Sequence, residues 1–125
     1  MQNGIKSSFT VENNGGGIAL GSEKSYEQIA YGIRPMVSAA IEAYRLTNQE
    51  RYADMAGHLA AWFWGANDAN RIMYSVATGR CFDGIESPSN VNLNSGAEST
   101  IEALLTMENV ENSPAVKLAF DKYRK

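Results

Sequence analysis

The sequence predicts a mainly α protein of antiparallel αα-hairpins, with a short β element in front and a long ordered loop between the helical pairs. Three observations predict it. Apolar residues recur at steps of three and four from Tyr26 to Tyr44 and again from Tyr52 to Phe63, which is the spacing of one helical face. The breaks around Thr47–Glu50 and Asn109–Asn112 are short, and short connections make consecutive helices antiparallel neighbours. Residues 66–93 carry no helical period at all. The 125 residues fit one domain. Residues 1–24 form its β and loop extension, and residues 25–125 its helical hairpins.

In chain order, Ser8-Phe9-Thr10-Val11 and Ile18-Ala19-Leu20 read as strands. Asn13-Asn14-Gly15-Gly16-Gly17 between them is a turn, because Asn and Gly tolerate positive φ. The first helix opens at Ser25, whose pairing with Gln28 has the capping-box spacing. Its apolar face is Tyr26, Ile29, Ala30, Ile33, Val37, Ala40, Ile41 and Tyr44. Pro35 removes a backbone donor and is expected to kink or split this helix near Gly32. Thr47 and Asn48 offer caps for the second helix, whose face is Tyr52, Met55, Ala56, Leu59, Ala60 and Phe63, and Gly65 stops it.

In the segment 66–93, Ile72-Met73-Tyr74 and Cys81-Phe82 read as short strands, with Thr78-Gly79 and Asp83-Gly84 as turns. Its apolar residues predict an ordered loop packed back on the ends of the hairpins. The third helix begins at Asn94 or Ser95, with Ala97, Ile101, Leu104, Leu105 and Met107 as its apolar side. Ser113-Pro114 opens the fourth helix, and Val116, Ala119, Phe120 and Tyr123 form its face. Lys122, Arg124 and Lys125 fall at its C-terminal end, where the helix dipole favours cations.

Composition narrows the function classes. Net charge is −3 with 11 Lys and Arg against 14 Asp and Glu, so the basic footprint of a nucleic-acid binder is missing. No apolar run approaches the length of a membrane span. Met1 to Phe9 holds one Lys and no apolar block, unlike a secretory signal. A single Cys excludes an internal disulfide and suits a reducing cytoplasm. His58 is the only histidine, and no HExxH spacing exists, so neither a metal nor a cofactor is expected.

Three stretches carry a resemblance. They are Ala61-Trp62-Phe63-Trp64-Gly65-Ala66-Asn67, Met73-Tyr74 with Asp83-Gly84, and Asn94-Ser95-Gly96-Ala97-Glu98-Ser99-Thr100. Together with Ala43-Tyr44-Arg45-Leu46-Thr47 and Arg51-Tyr52, they make residues 25–107 resemble the C-terminal part of six-hairpin (α/α) toroid proteins of carbohydrate metabolism. That family includes glycosidase-like proteins and toroid domains fused to bacterial glycosyltransferases. The resemblance implies a partial (α/α) toroid and a carbohydrate-related, glycosidase-like function. A closed ring needs roughly twelve helices, and four fill this chain at ordinary helix lengths. The expectation is therefore a segment that is catalytically incomplete alone, either part of a longer protein or completed by another chain. The alternative is a non-catalytic interaction or oligomerisation module.

The candidate catalytic pair is Asp83 and Glu98, since glycoside hydrolysis uses two carboxylates. Each has a structural reading beside the catalytic one. Ser95-x-x-Glu98 is a capping box that explains the spacing by itself, and Asp-Gly is a turn signal. Asn92 and Asn94 offer the donors and acceptors that sugar hydroxyls require. Tyr74 and Trp62 are candidate stacking platforms, with core packing as their other use. Trp62 and Trp64 stand two apart on a helix and cannot face the same way. Trp64, Met36, Met73 and Met107 then add apolar surface that flanking hairpins would cover in a ring. Self-association is expected, a two-fold dimer first.

Overall fold

The computed structural model describes residues 5–13, 15 and 18–125. Strands β1 (Ser8–Asn13) and β2 (Ile18–Lys24) form the expected antiparallel hairpin. Ser8 pairs with Lys24 and Asn13 with Ile18, with a register shift between Phe9 and Val11. Of the expected turn, Asn14, Gly16 and Gly17 lie outside the described residues, and Gly15 takes φ +78°.

The first helix starts later than its sequence cap suggests. Gln28–Ile29 forms a two-residue strand, β3, and α1 runs from Ala30 to Thr47. Gln28 is turned inward and is 2% exposed. Its Oε1 accepts the Trp62 indole N–H at 3.0 Å, and its Nε2 donates to Asp68 Oδ2 at 3.0 Å. A buried indole N–H needs an acceptor, and that demand outweighs the local capping box. Helix α1 also passes through Pro35 uninterrupted. Pro35 and Tyr31 lie on the solvent side, where water can replace the hydrogen bond that proline removes.

Asn48 ends α1 in the left-handed region, φ 54° and ψ 27°, with its N–H on the Tyr44 carbonyl at 2.7 Å. The chain reverses into α2 (Glu50–Ala60), continues as a 3-10 turn over Ala61–Phe63, and stops at Gly65 with φ +92°. The segment 66–93 holds four short strands: β4 (Tyr74–Ser75), β5 (Arg80–Cys81), β6 (Gly84–Ser87) and β7 (Asn90–Asn92). β4 and β5 pair antiparallel, and β3, β6 and β7 form a three-stranded antiparallel sheet. Buried Met73, Cys81 on β5 and Ile85 on β6 anchor the segment to the core. Helices α3 (Ala97–Glu111) and α4 (Pro114–Tyr123) complete the chain.

This arrangement corrects the expected mainly α hairpin toroid. The fold is mixed: among the described residues, four helices accompany seven strands in three small antiparallel sheets. The helices do not stand as two successive hairpins side by side either. α1 packs on α2 and α3, and α4 packs on α2 and α3, so the four close on one another. Small residues permit that closure. Ala53, Ala56, Ala60 and Ala119 are buried at the helix contacts. A Cβ placed on Gly57 would stand 2.5 Å from Ala119 Cβ and 2.5 Å from the Phe120 nitrogen. Trp62, Phe63, Phe120, Ile33 and Val37 fill the centre of the core.

Candidate functional site

The sequence places its candidate carboxylates around the start of α3, and the tertiary structure gives the two opposite tasks. Asp83 lies just before β6 and ties three elements together. Its backbone carbonyl accepts the N–H of Ala30, the first residue of α1, at 3.1 Å. Its own N–H donates to the Asn94 carbonyl at 2.9 Å. Its Oδ1 accepts the N–H of Gly96 at 2.8 Å and the Ser99 hydroxyl at 2.5 Å. Gly96 is the residue that caps α3. Asp83 therefore provides from a distant loop the negative group that helix N-termini favour. Its neighbour Cys81 donates its N–H to Thr100 Oγ1 at 3.2 Å, a second tie to the first turn of α3.

Glu98 does none of this. It is exposed on the outer side of α3, and the expected capping box does not form: α3 is capped at Gly96, one residue past Ser95, and no side chain of its own caps it. Ser95, the other half of that box, keeps a buried hydroxyl without a partner among the described residues. The two carboxylates thus serve a helix cap and a solvent face. Neither lines the clefts beside Gln28 and Ile33, Arg71 and Asn90, His58 and Lys125, or Asp54 and Lys122.

The remaining candidates divide in the same way. Trp62 is 0% exposed and hydrogen-bonded to Gln28, so it offers a ligand no face, and its role as a stacking platform is corrected to core packing. Tyr74 is half-buried with its ring 5.3 Å from Trp64, and Trp64 in turn meets Phe120 edge-on at 5.5 Å. Both aromatics serve the seam between β4 and α4. Asn92 accepts the Asn94 N–H at 3.0 Å in a local turn, and Asn94 is exposed. Nearby, Arg71, Ser89, Asn90, Val91 and Leu93 border a shallow polar cleft of about 280 Å3.

Three features escaped the sequence reading. Arg34 on α1 and Glu102 on α3 form an ion pair between Nε and Oε2, with Glu102 buried. Asp68 collects the Tyr26 hydroxyl at 2.7 Å and the Gln28 amide at 3.0 Å, and its carboxylate pushes the Tyr26 hydroxyl above the usual phenol range. At the far end of α2, His58 stacks on Tyr123 with centroids 4.2 Å apart. Burial pushes His58 below its ordinary value. The Tyr123 hydroxyl donates to Asp54 at 2.9 Å and holds that carboxyl below the usual range. All three join residues far apart in sequence, and no short motif announces them.

The outer face of α3 is the largest departure from expectation. The helix buries Ser99, Glu102, Ala103, Thr106 and Val110. It exposes the large apolar residues that its sequence marked for the core: Ile101 at 52%, Leu104 at 50% and Leu105 at 38%. The inward side mixes polar Ser99, Glu102 and Thr106 with apolar Ala103 and Val110, and each of the three polar residues is satisfied. Glu102 meets Arg34, Thr106 Oγ1 donates to the Glu102 carbonyl at 2.7 Å, and Ser99 meets Asp83.

Among the described residues, no group of three or more His, Cys, Asp and Glu side chains is arranged to hold a metal ion, and no helix is long and apolar enough to cross a membrane. No protein-family model matches the chain. A search of curated proteins finds no significant match.

Proposed function

We propose that this chain is a non-catalytic interaction module whose recognition surface is the outer face of α3. One observation carries the reading: α3 turns Ser99, Glu102 and Thr106 inward and Ile101, Leu104 and Leu105 outward. A helix that serves only its own core does the reverse. Contiguous exposed apolar surface marks an interaction site more often than it occurs by accident. The glycosidase-like alternative needs two carboxylates facing one substrate. Asp83 is instead committed to the α3 cap, and Glu98 is exposed without a hydrogen-bond partner among the described residues.

The test needs no knowledge of the partner. In Ile101→Ser and Leu104→Ser the unfolding free energy from denaturant titration should stay within about 0.5 kcal/mol of wild type, because both residues are half exposed at the surface. Binding of an apolar fluorescent dye to the folded protein should fall. A loss of about 2 kcal/mol or more, typical of a core truncation, would show that these residues stabilise the fold and would remove the reading.

A second reading retains carbohydrate as ligand without catalysis. The polar cleft beside Arg71, Ser89 and Asn90 supports it, with Asn92 and Asn94 on the adjoining turn. Neutral oligosaccharides titrated into labelled protein should move the backbone amide resonances of these residues. Unmoved resonances at millimolar sugar would dismiss it.

A further inference from the structure

Charge on the outer face of α3 narrows the class of partner. Glu98, Ile101, Leu105 and Glu108 follow one another at steps of three, four and three, with Leu104 alongside, so all five share one exposed face. The two glutamates close the apolar stripe at both ends, about 15 Å apart along the axis. Helix α3 carries four glutamates and no basic residue. Arg34 neutralises Glu102 from α1, and Lys117 meets Glu111 at 3.0 Å. Among the described residues, Glu98 and Glu108 have no ion-pair partner within 4.0 Å.

We propose that this face receives a basic amphipathic helix of a partner protein, one with Lys or Arg at each end of a short Leu or Ile stripe. The inference rests on the reading of α3 as an interaction surface and adds the partner's chemistry. An amphipathic helix matches the stripe in length and periodicity, because helix-on-helix docking uses anchors at i, i+3 and i+7. Cations at its ends would meet Glu98 and Glu108. Because the face presents an acid at either end, a helix running in either direction finds both charges.

A second copy of the chain fits this face poorly. Two α3 helices related by a two-fold axis meet as parallel or antiparallel neighbours. The parallel pair sets Glu98 against Glu98, and the antiparallel pair sets Glu98 against Glu108. Juxtaposed like charges disfavour association, so the two-fold dimer expected from the sequence would have to avoid α3 or screen both ends.

The experiment uses two synthetic helical peptides with the same Leu stripe in an Ala background, one ended with Lys and one with Glu. Each is titrated by fluorescence anisotropy into wild type and into the double variant Glu98→Lys and Glu108→Lys. The variant positions are exposed, and far-UV circular dichroism confirms the fold. Wild type should bind the Lys-ended peptide about tenfold more tightly at low salt, and the preference should invert in the double variant and shrink as salt rises. Equal binding of both peptides would overturn the partner class while leaving the interaction face in place. So would a failure of both to bind while the apolar dye still responds to Leu104→Ser. A dimer in sedimentation equilibrium that Leu104→Ser dissolves would overturn it in favour of a second copy. Loss of peptide binding together with a dye signal indifferent to Leu104→Ser would overturn the interaction face itself.

Discussion

The Asp83 carboxylate accepts the backbone N–H of Gly96 at 2.8 Å across thirteen residues of chain. With the Ser99 hydroxyl on the same oxygen, it replaces the capping box that Ser95 and Glu98 would have formed. It also joins the starts of α1 and α3, since the Asp83 carbonyl takes the Ala30 N–H.

The first prediction separates the two carboxylates. Asp83→Ala removes a helix cap and strands the Ser99 hydroxyl, so it should lower stability by about 1–3 kcal/mol. Glu98→Ala should change it by less than about 0.5 kcal/mol, as an exposed residue outside any cap does. Urea denaturation of both variants beside wild type measures the contrast. Equal losses would mean that Glu98 shares the cap.

Gly57 gives a second prediction. Alanine is the better helix former by about 1 kcal/mol, so Gly57→Ala would stabilise an exposed helix. Here the added methyl meets Ala119 Cβ and the Phe120 nitrogen, both at 2.5 Å, and overpacking of this kind costs about 1–3 kcal/mol. The strain should win, with a lower melting temperature. A rise would show that α4 moves away from α2 freely.

Stability should depend on pH through His58. Its value is lowered by burial, so between the ordinary value of 6.5 and the lower folded one the unfolded chain binds more protons. The stabilising contribution is complete above pH 6.5. It declines as pH falls below that and levels off beneath the folded value. Asp54, lowered mainly by the Tyr123 hydroxyl, adds a second decline below its ordinary 3.8. In His58→Gln the upper decline should vanish and the lower one persist. Denaturation midpoints from pH 3 to 8 resolve the two windows.

Cys81 is 0% exposed, and burial pushes its thiol up to about 12. Since the thiolate is the reactive form, a disulfide reagent at neutral pH should label it only when the protein opens. Labelling at the rate of a free thiol in native buffer would place Cys81 at the surface.

Local order was legible in the sequence wherever the physical signal is itself local. The β1–β2 hairpin, the reversal at Asn48, the stop at Gly65 and the proline at the start of α4 all follow from backbone preferences of single residues. The helical period of α1, α2 and α4 also located most of their inward faces, because each meets an apolar neighbour, although Ile29, just before α1, and Met55 on α2 are exposed. β6 and β7 were not legible. Strands of four and three residues give no measurable alternation, and the pairing of β6 with Gln28–Ile29 joins segments far apart in the chain.

What the sequence determined by itself was that α3 has an apolar side and that Asp83 and Glu98 flank its start. Tertiary structure decided which side is buried and which acid caps the helix. Periodicity shows that a face is apolar without showing what stands opposite it. On α3 the opposing surface offered Arg34 and Asp83. Ion pairing and capping require polar residues to turn toward such groups, so Glu102 and Ser99 went in and Ile101, Leu104 and Leu105 stayed outside.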